Sequence, residues 1–271
     1  MTTRFRLGPR RPSWLGPAIL AFGCAGSGDG SHPPAPPKPR LRVAAASDLQ
    51  VALPALAARF ERDRGIGVQA VFGSSGQLAE QIRQGAPFDV FLAANVAYVE
   101  RLAADGVIRP ESVRPYAVGP LVLAVHRESG RAVEALPDLA RPEVRRIALA
   151  HPGHAPYGAA AKQALQRAGL WEALEPKIVY AETVRQALQF VQSGNAEAGL
   201  IAGASARVPE IRTIAIDPAL HDPIVQGLGI VSETEQADPA RAFADFVLGP
   251  DGQAILAEFG FRKVESSAPP P

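Results

Sequence analysis

The chain has 271 residues, of which 47% are hydrophobic and 20% charged, enough for one large core or two smaller ones and unlike a disordered or fibrous composition. Its formal charge is +1, yet Arg4, Arg6, Arg10 and Arg11 all precede Cys24 with no acidic residue among them, and the remaining 24 basic residues face 27 acidic ones, a net of −3. A mildly acidic body excludes an electrostatic footprint for nucleic acid, so an anion bound here would be held by local geometry.

The four arginines lead into "PSWLGPAILAFGC". A basic start, a short apolar run and small residues at its end fit an export signal over residues 1–24; the run is shorter than the ~20 apolar residues that span a bilayer. Ala21-Phe22-Gly23-Cys24 resembles a bacterial lipobox, in which the cysteine carries the lipid. Cys24 is the only cysteine, so no internal disulfide competes for it; an ordinary cleaved signal with an incidental cysteine is the other reading. Residues 25–40, "AGSGDGSHPPAPPKPR", are Gly/Ser-rich and then Pro-rich, a linker. Anchor, tether and domain is the implied order, with a disordered tail over 265–271.

From Leu41 onward short apolar runs alternate with amphipathic stretches. "LRVAAAS" reads as a buried strand, and the following segment puts Leu49, Ala52, Leu53, Leu56 and Phe60 on one helical stripe. "VQAVFGSS" and "QLAEQIRQG" repeat the pair, then "FDVFLAAN" and "VAYVERLAADGV". Strands are predicted at "GPLVLAVH", "RRIALAHP", "KIVYAET", "AEAGLIAG", "RTIAIDP" and "PIVQGLGIVSE", helices at "GAAAKQALQRAG", "VRQALQFVQSG", "DPARAFADFVLG" and "PDGQAILAEFG". About nine strands alternating with helices predict two α/β lobes with mostly parallel sheets flanked by helices.

Ligands of open α/β sheets bind beyond the carboxyl ends of strands, where helices begin. Four such junctions share a character: Ala46-Ser47-Asp48, Gly73-Ser74-Ser75-Gly76, Ala155-Pro156-Tyr157-Gly158 and Glu182-Thr183-Val184. The first N–H groups of a helix lack intrahelical partners and the dipole adds partial positive charge, so a hydroxyl there favours an anion. None of the four holds a lysine or arginine. Singly, each reads as an ordinary N-cap; the set of four reads as a divided anion site.

"LRVAAASDL", "FGSSGQLAEQIRQGAPFDVFLAAN", "HPGHAPYGAAAKQALQRAGLWEAL", "AETVRQALQFVQSGNAEAGLIAG" and "GPDGQAILAEFGF" together resemble the periplasmic molybdate-binding proteins of ABC transporters, the ModA family, from about Leu41 to Val264. The resemblance implies a two-lobed type II periplasmic-binding-protein fold with the ligand in the interlobe cleft, one lobe from 41–120 plus 223–264 and the other from 121–222. It implies an oxyanion, molybdate and with it tungstate, delivered to a membrane permease by a monomer that needs no cofactor and binds metal only within the oxyanion. Carried over by position, the hydroxyls are those of Ser47 and Ser75 and the amides those of Tyr157 and Val184; Ser74, read as the helix cap beside Ser75, and Ala202 are the lesser candidates. Some members place a tyrosine where Ala202 stands, and the Tyr157 phenol is a candidate for that donor; its alternative is a cleft wall with only the N–H engaged.

A tetrahedral dianion accepts only, so a donor-only site suits it and leaves the O–H of a protonated phosphate unpaired. Sulfate on the same scaffold is the alternative. Asp48 would repel an anion if it faced the cleft, and is expected to point outward toward a helix start. A secreted serine hydrolase through Ser74 or Ser75 is the remote alternative, but Gly-Ser-Ser-Gly is not the nucleophile elbow. His151 and His154 in "HPGH" have no third metal ligand nearby in sequence, and "GLGIVS" lacks the helix a nucleotide loop requires.

Overall fold

The structure, a computed structural model, describes residues 40–264. The export signal, Cys24, the linker up to residue 39 and the tail from residue 265 lie outside the described residues. No helix within them is long and apolar enough to cross a membrane.

Among the described residues ten strands form two five-stranded sheets. Sheet I takes β1 (Arg40–Ala46), β2 (Gly67–Gly73), β3 (Val90–Ala93), β4 (Arg114–Gly119) and β10 (Ile224–Ile230), in the order β2-β1-β3-β10-β4. Sheet II takes β5 (Leu121–His126), β6 (Ile147–Ala150), β7 (Ile178–Ala181), β8 (Ala198–Ala202) and β9 (Ile211–Ala215), in the order β7-β6-β8-β5-β9. Each sheet has one reversed strand, β10 in sheet I and β5 in sheet II. These are the strands at which the chain enters from the other sheet: β4 and β5 are separated only by Pro120, and β10 follows β9. Parallel neighbours need a helical crossover, whereas strands entered from the other lobe are free to run backwards.

In sheet I, α1 (Leu53–Arg64), α2 (Ser75–Arg83) and α3 (Val96–Ala104) follow β1, β2 and β3, and α7 (Ala237–Leu248) and α8 (Pro250–Glu258) follow β10. The stripe read from the sequence is buried throughout, from Leu49 to Phe60, and Phe60 meets Phe243 of α7 edge-on at 5.1 Å. The returning end of the chain thus closes the core of the first lobe. Sheet II carries α4 (Pro156–Arg167), the single turn α5 (Trp171–Leu174) and α6 (Val184–Gln192). Covered on both faces, β3, β6 and β8 are buried at every position, as parallel central strands require.

The strand that periodicity misses is β4. "RPYAVG" contains Pro115, which lacks the N–H of a ladder donor, and β4 lies at the sheet edge, where proline is tolerated. It brings in Tyr116, a side chain that supports the floor of the cleft.

Candidate functional site

Three helices, α2, α4 and α6, of nine, twelve and nine residues, begin at the cleft. Their starts and the end of β1 line one small pocket: Ala46, Ser47, Asp48, Gly73, Ser74, Ser75, Ala94, Ala155, Pro156, Tyr157 and Val184. Its free volume, about 10 Å³, is close to the room one water molecule needs, so the lobes are closed and a four-oxygen ion enters only when they part. A far larger surface groove, of about 800 Å³ between Arg42, Arg83 and Glu233, carries charges of both signs and no converging helix starts.

All four residues read as principal contacts line this pocket. Ser47 and Ser75 come from the first lobe, Tyr157 and Val184 from the second. The N–H groups of Ser75, Tyr157 and Val184 have no backbone acceptor among the described residues, which follows from their places in the first turns of α2, α4 and α6. Gly158 makes this possible for Tyr157: a Cβ there would sit 2.1 Å from the Ala150 carbonyl oxygen, so only glycine lets α4 seat so closely on the end of β6. The Ser75 hydroxyl accepts from Ala94 N–H at 2.9 Å. That contact occupies an acceptor position, leaving the O–H free to donate elsewhere.

Ser74, expected as a lesser contributor, also lines the pocket; it occupies the N-cap position of α2 without a side-chain cap bond, and its Oγ lies 2.9 Å from His154 Nδ1 in the other lobe. Ala202, at the end of β8, is fully buried and does not line the pocket. The Tyr157 phenol, 1% exposed, donates to Asp48 Oδ2 at 3.1 Å and is engaged there. Its burial first, and then the Asp48 charge, push its pKa well above the usual phenol value.

Asp48 departs furthest from expectation. Instead of pointing outward it is fully buried, in the pocket wall. Gln226 of β10 donates from Nε2 to its Oδ2, while Gln226 Oε1 accepts from the Tyr116 hydroxyl. Oδ1 has no hydrogen-bond partner. Burial raises the Asp48 pKa to about 6 against the lowering pull of Gln226, Tyr157 and the N–H groups of Asp48 and Leu49. Among the described residues no cation acts on it, so the site is not composed purely of donors: an ionised Asp48 would also offer an acceptor.

The lobes meet in a second set of contacts beside the pocket. Gly76 N–H donates to the His154 carbonyl at 2.9 Å, and Gln77 Nε2 donates to Glu182 Oε2 at 2.7 Å. His151 and His154 stack 4.9 Å apart, and among the described residues no cluster of three or more His, Cys, Asp or Glu could hold a metal. Desolvation, followed by His151, lowers the His154 pKa against the pull of Glu182, so His154 is neutral at neutral pH.

Residues 41–262 match the family model described as bacterial extracellular solute-binding protein. A substrate-binding lipoprotein, YvgL, of Bacillus subtilis, named as a putative ABC transporter component, is 33% identical over 90% of this chain and 93% of its own. ModA of Rhodobacter capsulatus, a molybdate-binding protein, is 34% identical over 76% of this chain and 81% of its own. The solved periplasmic molybdate-binding protein of Azotobacter vinelandii superposes with a TM-score of 0.78 at 33% identity, covering 83% of this chain and all of that one. With two α/β lobes and a cleft built from helix starts, the chain belongs to the bacterial extracellular solute-binding protein family, and within it to the ModA proteins.

Proposed function

We propose that the protein is the extracytoplasmic receptor of an ABC transporter, capturing molybdate, and with it tungstate, between its lobes and delivering it to a membrane permease. The observation that carries this reading is the convergence of the α2, α4 and α6 N-termini with the Ser47 and Ser75 hydroxyls on one pocket without a lysine or arginine. Each hydrogen bond to an ionised group contributes roughly 1.5–3 kcal/mol, so several together offset the loss of the ion's hydration while leaving no fixed counter-charge to trap it. ModA relatives named for molybdate support the choice of ion. Cys24, at the end of a lipobox-like segment, is the lipid attachment point in this reading, and a relative named as a lipoprotein supports it. The body works as a monomer and needs no cofactor.

Catalysis is not part of the proposal. Ser74, His154 and Glu182 stand in the order of a hydrolytic triad, but the His154–Glu182 separation is 3.6 Å with Glu182 70% exposed, beyond hydrogen-bond reach. The set joins two lobes, and we read it as a closure latch. Equilibrium dialysis against molybdate, tungstate, sulfate and phosphate, with the retained element counted by mass spectrometry, tests the reading. Retention of molybdate and tungstate at one ion per chain is expected. Retention of sulfate alone would refute the assignment to molybdate, and retention of none would refute the receptor.

A further inference from the structure

The carboxyl in the pocket wall has no use in a site built to hold an anion by neutral donors. Resting on the oxyanion reading above, we propose that Asp48 is itself a ligand residue: it takes a proton from solvent as the dianion binds and donates from Oδ1 to an anion oxygen, so that capture is coupled to proton uptake.

The geometry assigns the two carboxyl oxygens different tasks. Oδ2 accepts from Tyr157 of α4 and Gln226 of β10; among the described residues Oδ1 has no hydrogen-bond partner although the residue is fully buried, the N–H groups of Asp48 and Leu49 acting on the carboxyl only as a lesser pull. A buried carboxyl oxygen without a partner costs free energy in either protonation state. A proton on Oδ1 together with an anion oxygen in the pocket removes that cost. An ionised carboxylate in the same place would face a dianion across a few ångströms of low-dielectric space.

The surroundings leave Asp48 as the group that responds. From α4 and β4 the titratable groups facing it are the Tyr157 and Tyr116 phenols, both held protonated by burial and by Asp48 itself. From β10 comes the neutral Gln226, and from Gly203–Ser205 the Ser205 hydroxyl, on the Asp48 carbonyl. The pocket residues of β1, β2 and α6, Ala46, Gly73 and Val184, carry no charge. No charged group of α1 or α6, Arg185 included, contributes to its shift. Burial already puts its pKa at about 6, and a dianion alongside raises it further, so the proton is taken up above that value.

The inference also changes how phosphate is discriminated. A hydrogen phosphate brings its own O–H and can donate it to an ionised Asp48, with no uptake from solvent. A fully deprotonated dianion such as molybdate or sulfate has to recruit the proton.

The test is calorimetric titration of the protein with molybdate in two buffers of different ionisation enthalpy, neither an oxyanion, from pH 6.5 to 8.5, where molybdate stays a dianion. Uptake approaching about one proton per ion is expected, with Kd weakening by up to about tenfold per pH unit. Asp48→Asn, whose amide donates without titrating, should abolish the uptake and flatten the pH profile, whereas His154→Gln should keep the wild-type uptake. Binding by wild type with no uptake and a flat profile would overturn the inference while leaving the receptor standing, and so would uptake that persists in Asp48→Asn. No binding at any pH would overturn the oxyanion reading and this inference with it. If Asp48→Asn does not fold, the wild-type proton count decides alone.

Discussion

Gly76 separates the stability of the chain from its closure, and Gly76→Ala should move the two in opposite directions. Gly76 lies in the first turn of α2, outside the positive-φ glycines, so its backbone tolerates alanine. Alanine within a helix gains up to ~1 kcal/mol over glycine. In the closed form, however, an added Cβ would lie 2.9 Å from the Cα, Cβ and carbonyl oxygen of His154. Two of these atoms are backbone, so no rotamer change relieves the clash, and the lobes have to separate by several tenths of an ångström. That stretches the Gly76–His154 and Ser74–His154 bonds, each 2.9 Å long and each worth ~0.5–1.5 kcal/mol net. Together they predict a loss of ~1–3 kcal/mol in affinity, about 5- to 150-fold in Kd. Denaturant unfolding of the ligand-free protein should give unchanged or slightly higher stability, while titration gives the weaker Kd, mostly through faster release. An unchanged Kd would refute the closure argument, and so would a ligand-free stability that falls as much as the affinity.

Ser75→Ala should weaken molybdate binding by ~1.5–3 kcal/mol, the range for a hydrogen bond to an ionised group, and should also destabilise the fold by orphaning Ala94 N–H; titration and denaturant melts read the two effects. Asp48→Asn should stabilise the ligand-free protein in a pH-dependent way. With a folded pKa of about 6 against 3.8, wild type carries no ionisation penalty below pH 4, loses stability as pH rises between the two values, and bears the full cost, ~3 kcal/mol at 1.36 kcal/mol per unit, above them; paired urea melts at pH 4 and 8 should therefore differ for the variant only at pH 8. Glu182→Ala, which removes the Gln77 contact, should cost less than ~1 kcal/mol in affinity because the carboxylate is exposed and screened, and titration at low and high salt measures it.

The alternation of apolar runs and helical stripes places nine of the ten strands and the seven longer helices among the described residues, because each strand is an apolar run and each helix a periodic stripe. The exception, β4, carries a proline, tolerated because the strand lies at the sheet edge. Local chemistry also located the four junctions at Ser47, Ser74-Ser75, Tyr157 and Thr183-Val184, since a strand end followed by a helix start is a local pattern, whereas the choice of Ser47, Ser75, Tyr157 and Val184 within them rests on the resemblance to the ModA family. The place of Asp48 is not legible for the opposite reason. Its fate depends on Tyr116, Tyr157 and Gln226, drawn from three distant segments, and nothing beside "ASDL" announces them. One signal was present: Gln226 is the lone amide in the apolar strand "IVQGLGI", and a buried amide implies a polar partner. The His154 contacts with Ser74 and Gly76 are hidden likewise, since closure brings together residues about eighty positions apart.

In the proposed complex one oxyanion sits between the lobes on Ser47, Ser75, Tyr157 N–H and Val184 N–H. Crystals grown with molybdate and recorded at a wavelength where molybdenum scatters anomalously would locate it. One strong anomalous peak is expected in the pocket lined by these four residues, with the Ser75 hydroxyl and Asp48 Oδ1 within hydrogen-bond distance of its oxygens. Density for the ion at any other place on the chain, with this pocket empty in a protein that binds molybdate in solution, would contradict it.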